Sequence, residues 1–383
     1  MMSSDRTLEM PSLMMTSRAN GRRHFMKLLG ESFLFGVTFV SAAGILFIIA
    51  FIFKDSLPYF RMHGLGSFFH SDSWRPTGDP ASFGALGIFV GTALVTIGSC
   101  LLAVPLGVAA AICLSDVISF EVRQVVKPVI ELLAAIPSVA YGFFALVVFA
   151  PLLQREGGHI LAVGLWAVAG PLILIAVFVA GDLFTPRVRG AAKSFARWAV
   201  TAVLGALAFW GMSLLSQRVN AIKIASGVNA LNASIWLAVM AVPTVVSVCE
   251  DALTAVGRDM RAGSYALGAT RAETVLRVIM PAASGGIVAA VLLGVMRAVG
   301  ETMLVLMAAG NAFEVPDPWY NLITPVRTLT ATIALEMGEA DQTTGSAHYH
   351  ALFALGFFLL VFSFICNVIS EWAVRRTKKK LKG

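Results

Sequence analysis

Long apolar runs dominate the chain, and the polar residues collect between them. The runs from Phe33 to Phe53, from Ile88 to Leu114 and from Leu352 to Ile369 are close to the roughly 20 residues that a helix needs to cross a bilayer. This pattern predicts an all-α polytopic membrane protein. The expected spans are 33–53, 86–113, 131–153, 160–181, 198–215, 234–252, 284–311 and 350–370.

The composition supports a membrane protein and excludes several other classes. Of 383 residues, 57% are apolar and only 13% are charged, which is too little charge for a soluble surface. The net charge of +7 does not indicate a nucleic-acid partner, because the basic residues lie at the ends of apolar runs, as membrane topology requires. The apolar surface of the protein is therefore expected to face membrane lipid.

The chain offers no sign of a metal site or of a bound cofactor. All four cysteines lie inside apolar runs and lack metal-ligand spacing, so we interpret them as small core residues. We expect neither a metal nor a cofactor. The cysteines are Cys100, Cys113, Cys249 and Cys366.

The distribution of basic residues predicts the orientation. With the N-terminus inside, the inner segments hold about three times as many Lys and Arg as the outer ones. Eight spans then leave both termini in the cytoplasm. The basic stretch from Arg18 to Lys27 precedes an apolar run that is too long for a cleaved signal peptide, so we expect an uncleaved signal anchor.

Six segments follow from this topology. A basic cytoplasmic tail precedes the first span and its outer loop, and two regions of long apolar runs flank a segment with Gly, Pro and scattered charge, where a helix pair is expected. The second of these regions contains an inner loop at 250–283, and an outer loop, a span and a basic tail end the chain. The segments are 1–32, 33–85, 86–153, 154–233, 234–311 and 312–383.

No catalytic constellation is visible, so we do not expect an enzyme. The chain lacks any Gly-Lys dipeptide, which excludes a phosphate-binding loop of the G-x-x-x-x-G-K-[ST] type. The histidines do not accompany a serine or cysteine nucleophile. Uphill transport would therefore take its energy from a partner or from an ion gradient.

The inner loop at 250–283 predicts two short helices that are broken at Gly268. Thr270 and Glu273 match a capping box for the second helix, and Pro281 is expected to end that helix before the next span. Such a loop suits a lever that docks into an ATPase, or an interfacial helix on lipid. The spacing favours neither.

This loop resembles the EAA loop of ABC-importer permeases. Ala262-Gly263-Ser264, then Gly268 after three residues, and Val278-Ile279-Met280-Pro281 after nine more, follow the family order E-A-A, G, I-x-L-P. Ala, Gly and Ser replace the family's Glu and two Ala. The resemblance implies that the loop is the coupling helix gripped by the ATPase subunit. The implied contact residues are Ala262, Gly263, Ser264, Tyr265, Gly268, Ala269, Thr270 and Pro281.

Two charged residues, Arg297 and Glu301, lie inside the predicted span 284–311. Such charges are costly in a bilayer unless they are paired or wetted. Their i, i+4 spacing would place both on one helix face. A structural ion pair and the lining of an anion path both remain open. Gly294 and Gly300 are expected to let neighbouring helices approach closely.

Two further motifs resemble the PstC family of phosphate permeases. The run Arg297-Ala298-Val299-Gly300-Glu301-Thr302-Met303 is similar to the signature R-A-x-G-E-T-M. The run from Lys127 to Gly142 is similar to K-P-x-I-E-L-L-A-x-I-P-S-V-x-Y-G, and its Pro137 is expected to kink a helix. The similarity covers about 75–153 and 228–311.

The resemblance implies a type I ABC-importer permease with a six-helix core and an inserted helix pair in 154–233. It implies a phosphate path at Arg297 and Glu301. The implied partners are a second, PstA-like permease subunit, a PstB-like ATPase dimer and an extracytoplasmic PstS-like phosphate-binding protein. Alternatives are a permease for molybdate or sulfate, an ion-coupled secondary transporter, and a receptor-like scaffold for phosphate sensing.

Overall fold

The computed structural model describes residues 17–70, 73–76, 78–79, 81–184, 191–340 and 346–382. Two compact units are present, one ending at Asp55 and the other beginning at Ser56. Residues 1–16 of the predicted N-terminal tail and the inner-side residues Arg187 and Arg189 lie outside the described residues.

The described residues form thirteen α-helices and one two-stranded sheet. π-helical turns occupy Cys113–Val117, Ala145–Phe149 and Val275–Ile279, each continuous with a neighbouring α-helix. The antiparallel strands are β1 (Trp74–Arg75) and β2 (Ser82–Phe83). The helices are α1 Ser17–His70, α2 Leu86–Ile112, α3 Phe120–Ala134, α4 Ser138–Phe144, α5 Ala150–Phe184, α6 Ala191–Asn220, α7 Ala230–Thr254, α8 Arg258–Ala266, α9 Arg271–Thr274, α10 Met280–Gly300, α11 Met303–Ala308, α12 Leu329–Glu336 and α13 Ala347–Lys382.

The all-α membrane class is confirmed. Seven helices in the described part of the chain are long and apolar enough to cross a bilayer. The expected span 160–181 lies within α5, which contains a non-helical residue at Glu156, and its residues 160–167 fall in the candidate span Ser138–Ala167. The seven are Met26–Gly64, Leu86–Val117, Ser138–Ala167, Trp198–Asn220, Ala230–Thr254, Arg271–Gly300 and Ala347–Arg376.

The predicted start of the third span, at residue 131, is wrong. Residue 131 belongs to α3, which ends at Ala134 and contains no buried residue. Pro137 then stands at the N-cap of α4 with extended backbone geometry, so it separates two helices instead of kinking one. A proline has no amide hydrogen to donate, which makes the start of a helix its favourable place.

The predicted stop at Pro281 is also wrong. The helical path runs from α9 through the π-helical turn Val275–Ile279 into α10, and Pro281 lies in the first turn of α10. The altered hydrogen-bond pattern of a π-helical turn tolerates the missing amide hydrogen of a proline that follows it. The second helix of the loop at 250–283 is therefore continuous with the following span.

The helices of the second unit pack around α7. Helix α7 contacts α2 and α10, and α10 in turn contacts α13. A Cβ atom at Gly107 or Gly294 would lie 2.7 or 2.9 Å from the side chain of Val245 on α7, so these two glycines permit the close approach. This confirms the prediction for Gly294, whereas a Cβ at Gly300 would meet nothing within 4 Å.

Candidate functional site: the coupling loop and the end of α10

The predicted break in the coupling loop is confirmed. Helix α8 ends before Gly268, whose φ of +81° is readily adopted only by a residue without a Cβ atom. The amide of Gly268 donates to the carbonyl of Tyr265, and that of Ala269 donates to Ser264 at 3.2 Å, which closes the helix end.

The capping box is confirmed as well. The Thr270 hydroxyl accepts a hydrogen bond from the amide of Glu273, and the Glu273 carboxylate accepts one from the amide of Thr270 at 2.9 Å. The end of α8 and the start of α9 are thus both closed by hydrogen bonds within the loop, and these bonds define its shape.

The residues of the predicted coupling surface divide into two groups. Ala262, Gly263, Gly268, Thr270 and Pro281 are exposed, and Tyr265 is 43% exposed, whereas Ala269 is half-buried. Ser264 is buried and forms a 2.9 Å hydroxyl–hydroxyl hydrogen bond with Thr274, so it holds α8 against α9. Ser264 is therefore placed to hold the two short helices of the loop together, and it does not lie on the exposed surface of the loop.

One exposed apolar residue of this surface was missed by the sequence analysis. Leu267 is 90% exposed at the tip of the loop, and Met260 is 41% exposed on α8. A leucine this exposed beside the turn at Gly268 marks a surface suited to a partner. The sequence signal that could have identified Leu267 is its position between two predicted contact residues, Tyr265 and Gly268.

Ion pairs hold the elements around this loop together. The Glu250 carboxylate on α7 is fully buried and pairs with Arg123 and, at 2.6 Å, with Lys127. Both basic residues belong to α3, and Lys127 also reaches Asp251 at 3.0 Å. This cluster fastens α3 to the end of α7.

The geometry of Arg297 and Glu301 differs from the prediction. Helix α10 ends at Gly300, and Glu301 has extended backbone angles, so the two residues do not share one helix face. The ion pairs found among the described residues do not include one between Arg297 and Glu301. The break continues through Thr302 before α11 begins, and the carbonyl of Glu301 accepts a 2.8 Å hydrogen bond from Thr330.

Arg297 lies in a partly buried and incompletely bonded environment. Its Nε atom is buried and has no hydrogen-bond partner among the described residues. The next residue, Ala298, belongs to the same buried cluster as Tyr141 of α4. The ring of Tyr141 lies 6.3 Å from that of Trp236, whose buried Nε1 atom also lacks a partner in the described part of the chain. Unsatisfied donors of this kind suit an anion.

A separate groove of about 530 Å³ is unsuited to an anion. It lies between α2, α10 and α13 and is lined mainly by apolar side chains such as Phe89, Val299 and Phe362. Of its polar residues, Thr92 donates its hydroxyl hydrogen to the carbonyl of Ile88 at 2.7 Å. An anion there would lose its hydration without gaining donors.

The described part of the predicted outer loop 312–349 contains a buried ionic cluster. Glu336 accepts hydrogen bonds from Arg327 at 2.8 Å and from Trp74 of β1 at 2.7 Å, and it lies 2.9 Å from Nε2 of His348. Arg327 also lies over the ring of Phe313 at 4.5 Å. Burial lowers the pKa of Arg327, and the nearby Glu336 carboxylate opposes that shift. The cluster joins β1, α12 and α13.

The seven apolar helices, the structured loop at 250–283 and the broken end of α10 define a polytopic α-helical membrane protein. Residues 103–379 match the family described as "Binding-protein-dependent transport system inner membrane component". The chain belongs to this family, whose description is that of a membrane component of transport systems.

Individual relatives support the same family over most of the chain. The PstC phosphate transport system permease protein of Mesorhizobium japonicum is 31% identical over 81% of this chain and 78% of the relative. That of Pasteurella multocida is 29% identical over 84% and 83%. A protein of Bacillus subtilis described as "Probable ABC transporter permease protein YqgH" is 29% identical over 99% of this chain and its own full length.

Proposed function

We propose that this chain is the membrane subunit through which an ATP-driven importer admits inorganic phosphate. The main support is the similarity to relatives named as phosphate permeases over more than four-fifths of the chain. The buried, unpaired Nε of Arg297 at the broken end of α10 fits an anion path, because a guanidinium can bind phosphate oxygens through charge-assisted hydrogen bonds.

The energy would come from a separate ATPase dimer that grips α8. The exposed Tyr265, Leu267 and Gly263 offer a docking surface, and the turn at Gly268 keeps it protruding. A second, similar permease subunit would complete the path, and an extracytoplasmic phosphate-binding protein would deliver the anion. ATP-driven closure of the ATPase would then switch the spans between inward-open and outward-open arrangements.

Phosphate uptake by the complete reconstituted complex tests this proposal. Wild type should accumulate phosphate only with ATP. The Arg297→Gln variant should assemble and hydrolyse ATP while uptake falls about tenfold or more, since a hydrogen bond to a charged group contributes roughly 1.5–3 kcal/mol. Arg277→Gln, a change of the same type at an exposed site, should leave uptake unchanged.

Other outcomes would contradict specific parts of the proposal. Uptake without ATP or without an ATPase subunit would refute the ATP-driven mechanism. If molybdate or sulfate is taken up in preference to phosphate, the substrate assignment falls. If Arg297→Gln prevents assembly, Arg297 has a structural role and does not belong to the path.

A further inference from the structure

Arg261 of α8 is mostly buried, although it directly precedes the exposed Ala262. Its side chain is 18% exposed, and its Nε donates to Asp116 Oδ1 at 3.0 Å. Its two terminal nitrogens donate to the backbone carbonyls of Val256 and Leu253, the latter at 2.9 Å. One guanidinium thus makes three hydrogen bonds to groups outside its own helix.

These acceptors belong to the ends of two membrane helices. Asp116 lies in the π-helical turn Cys113–Val117 that ends α2, and its side chain is 5% exposed. Its second oxygen accepts a 2.6 Å hydrogen bond from Ser115. Leu253 and Val256 flank the C-terminal end of α7, where the last carbonyls of a helix lack intrahelical donors. Arg261 therefore ties α8 to α2 and α7 together.

The helices that Arg261 joins also contact other elements of the molecule. Helices α2 and α7 both pack against α10, the helix that ends beside Arg297 and Glu301. Helix α8 also contacts α9, through the hydrogen bond between the hydroxyl groups of Ser264 and Thr274. A buried pair of a guanidinium and a carboxylate resists separation, because each charge would be left uncompensated. Movement of α8 should thus carry the ends of α2 and α7 along.

We propose that the Arg261–Asp116 pair is the positioning link that transmits movement of α8 to α2 and α7. This inference rests on the proposed function, in which α8 meets the ATPase. Arg261 would not contact the substrate and would not be needed for hydrolysis. Its loss should separate ATP hydrolysis from transport.

The test uses the complete complex with Arg261→Met and Asp116→Asn as independent variants. Arg277→Met serves as the matched control, since Arg277 is exposed in the same region. Uptake per ATP hydrolysed is expected to fall about five- to tenfold in both variants, a typical size for a coupling energy between sites. Arg261→Lys should recover part of the loss, because it keeps the charge opposite Asp116 but cannot reach both carbonyls.

Hydrogen–deuterium exchange provides a readout that does not depend on transport. Backbone exchange in residues 257–268 should accelerate in Arg261→Met and remain at the wild-type rate in Arg277→Met. Unchanged exchange would show that Arg261 does not fix α8. Faster exchange with unchanged uptake per ATP would show that the link does not transmit movement.

The remaining outcomes separate this inference from the proposed function. If both variants fail to retain the ATPase, the pair serves assembly and the inference is overturned. If wild type takes up no phosphate, the proposed function fails, and with it the transmission role. The exchange measurement would still decide whether Arg261 positions α8.

Discussion

Buried carboxylates in this protein have several donors each. Glu250 is paired with Arg123 and Lys127 and also accepts a hydrogen bond from Thr254 at 2.9 Å. Glu336 is bonded to Arg327 and to Trp74. The buried Nε atoms of Arg297 and Arg327 both lack a partner in the described part of the chain, but only Arg327 is paired with a carboxylate through another nitrogen. A buried charge paired with an opposite charge stabilises structure, whereas Arg297, which has no such pair among the described residues, is a candidate for binding an anion.

At Glu336 we expect a large loss of stability on truncation. Glu336→Ala leaves Arg327 buried without its carboxylate, and breaking such a pair costs about 3–5 kcal/mol. Thermal unfolding of the purified protein in detergent would measure this loss. The exposed Glu314 provides the control, and Glu314→Ala should change the free energy of unfolding by less than about 0.5 kcal/mol. Equal shifts for the two variants would show that the cluster contributes little.

The residue types alone singled out some of the candidate site residues. Arg297 and Glu301 stood out because charges are rare within apolar runs. Their expected pairing on one helix face was wrong, because α10 ends at Gly300. A spacing of four residues implies a shared face only while the helix continues, and where a helix ends depends on its tertiary contacts, here including Thr330 at the Glu301 carbonyl.

At the level of elements, local signals were reliable where the bonding is local. The capping box at Thr270 and the break at Gly268 are confirmed because their hydrogen bonds join residues close in sequence. Pro281 was misjudged because a π-helical turn precedes it. Pro137 separates α3 from α4 and stands at the start of α4, where the missing amide hydrogen of a proline is not needed.

The contact between α10 and α7 gives a prediction for Gly294. Gly294→Ala places a Cβ atom 2.9 Å from Val245 Cγ2, so the buried valine side chain or one of the two helices must shift. We expect a loss of about 1–3 kcal/mol from this overpacking, visible as a lower unfolding temperature in detergent. Gly356→Ala on α13 is the matched control, since its Cβ would meet nothing within 4 Å. A loss no greater at 294 than at 356 would contradict the close packing.

At the scale of the whole molecule, the orientation in the membrane remains a prediction from the basic residues. It can be tested with single cysteines placed in a chain whose four native cysteines are replaced. Tyr320 is 62% exposed in the predicted outer loop and Leu267 is 90% exposed in the predicted inner loop. In right-side-out vesicles, an impermeant maleimide should label Tyr320→Cys at once and Leu267→Cys only after permeabilisation. The reverse pattern would invert the topology.

The membrane class, most of the spans and the shape of the coupling loop were determined by the sequence alone. In a bilayer each helix must satisfy its backbone within its own segment, so apolar runs report spans directly. Caps and left-handed turns are likewise local.

Only the tertiary structure decided which polar groups meet. Trp74 and Glu336 are 262 positions apart, and Asp116 and Arg261 are 145 apart. Such contacts depend on how the helices pack, and a single sequence does not specify that packing through any local pattern. For the same reason, the partnerless Nε of Arg297 and the link at Arg261 became visible only in the folded chain.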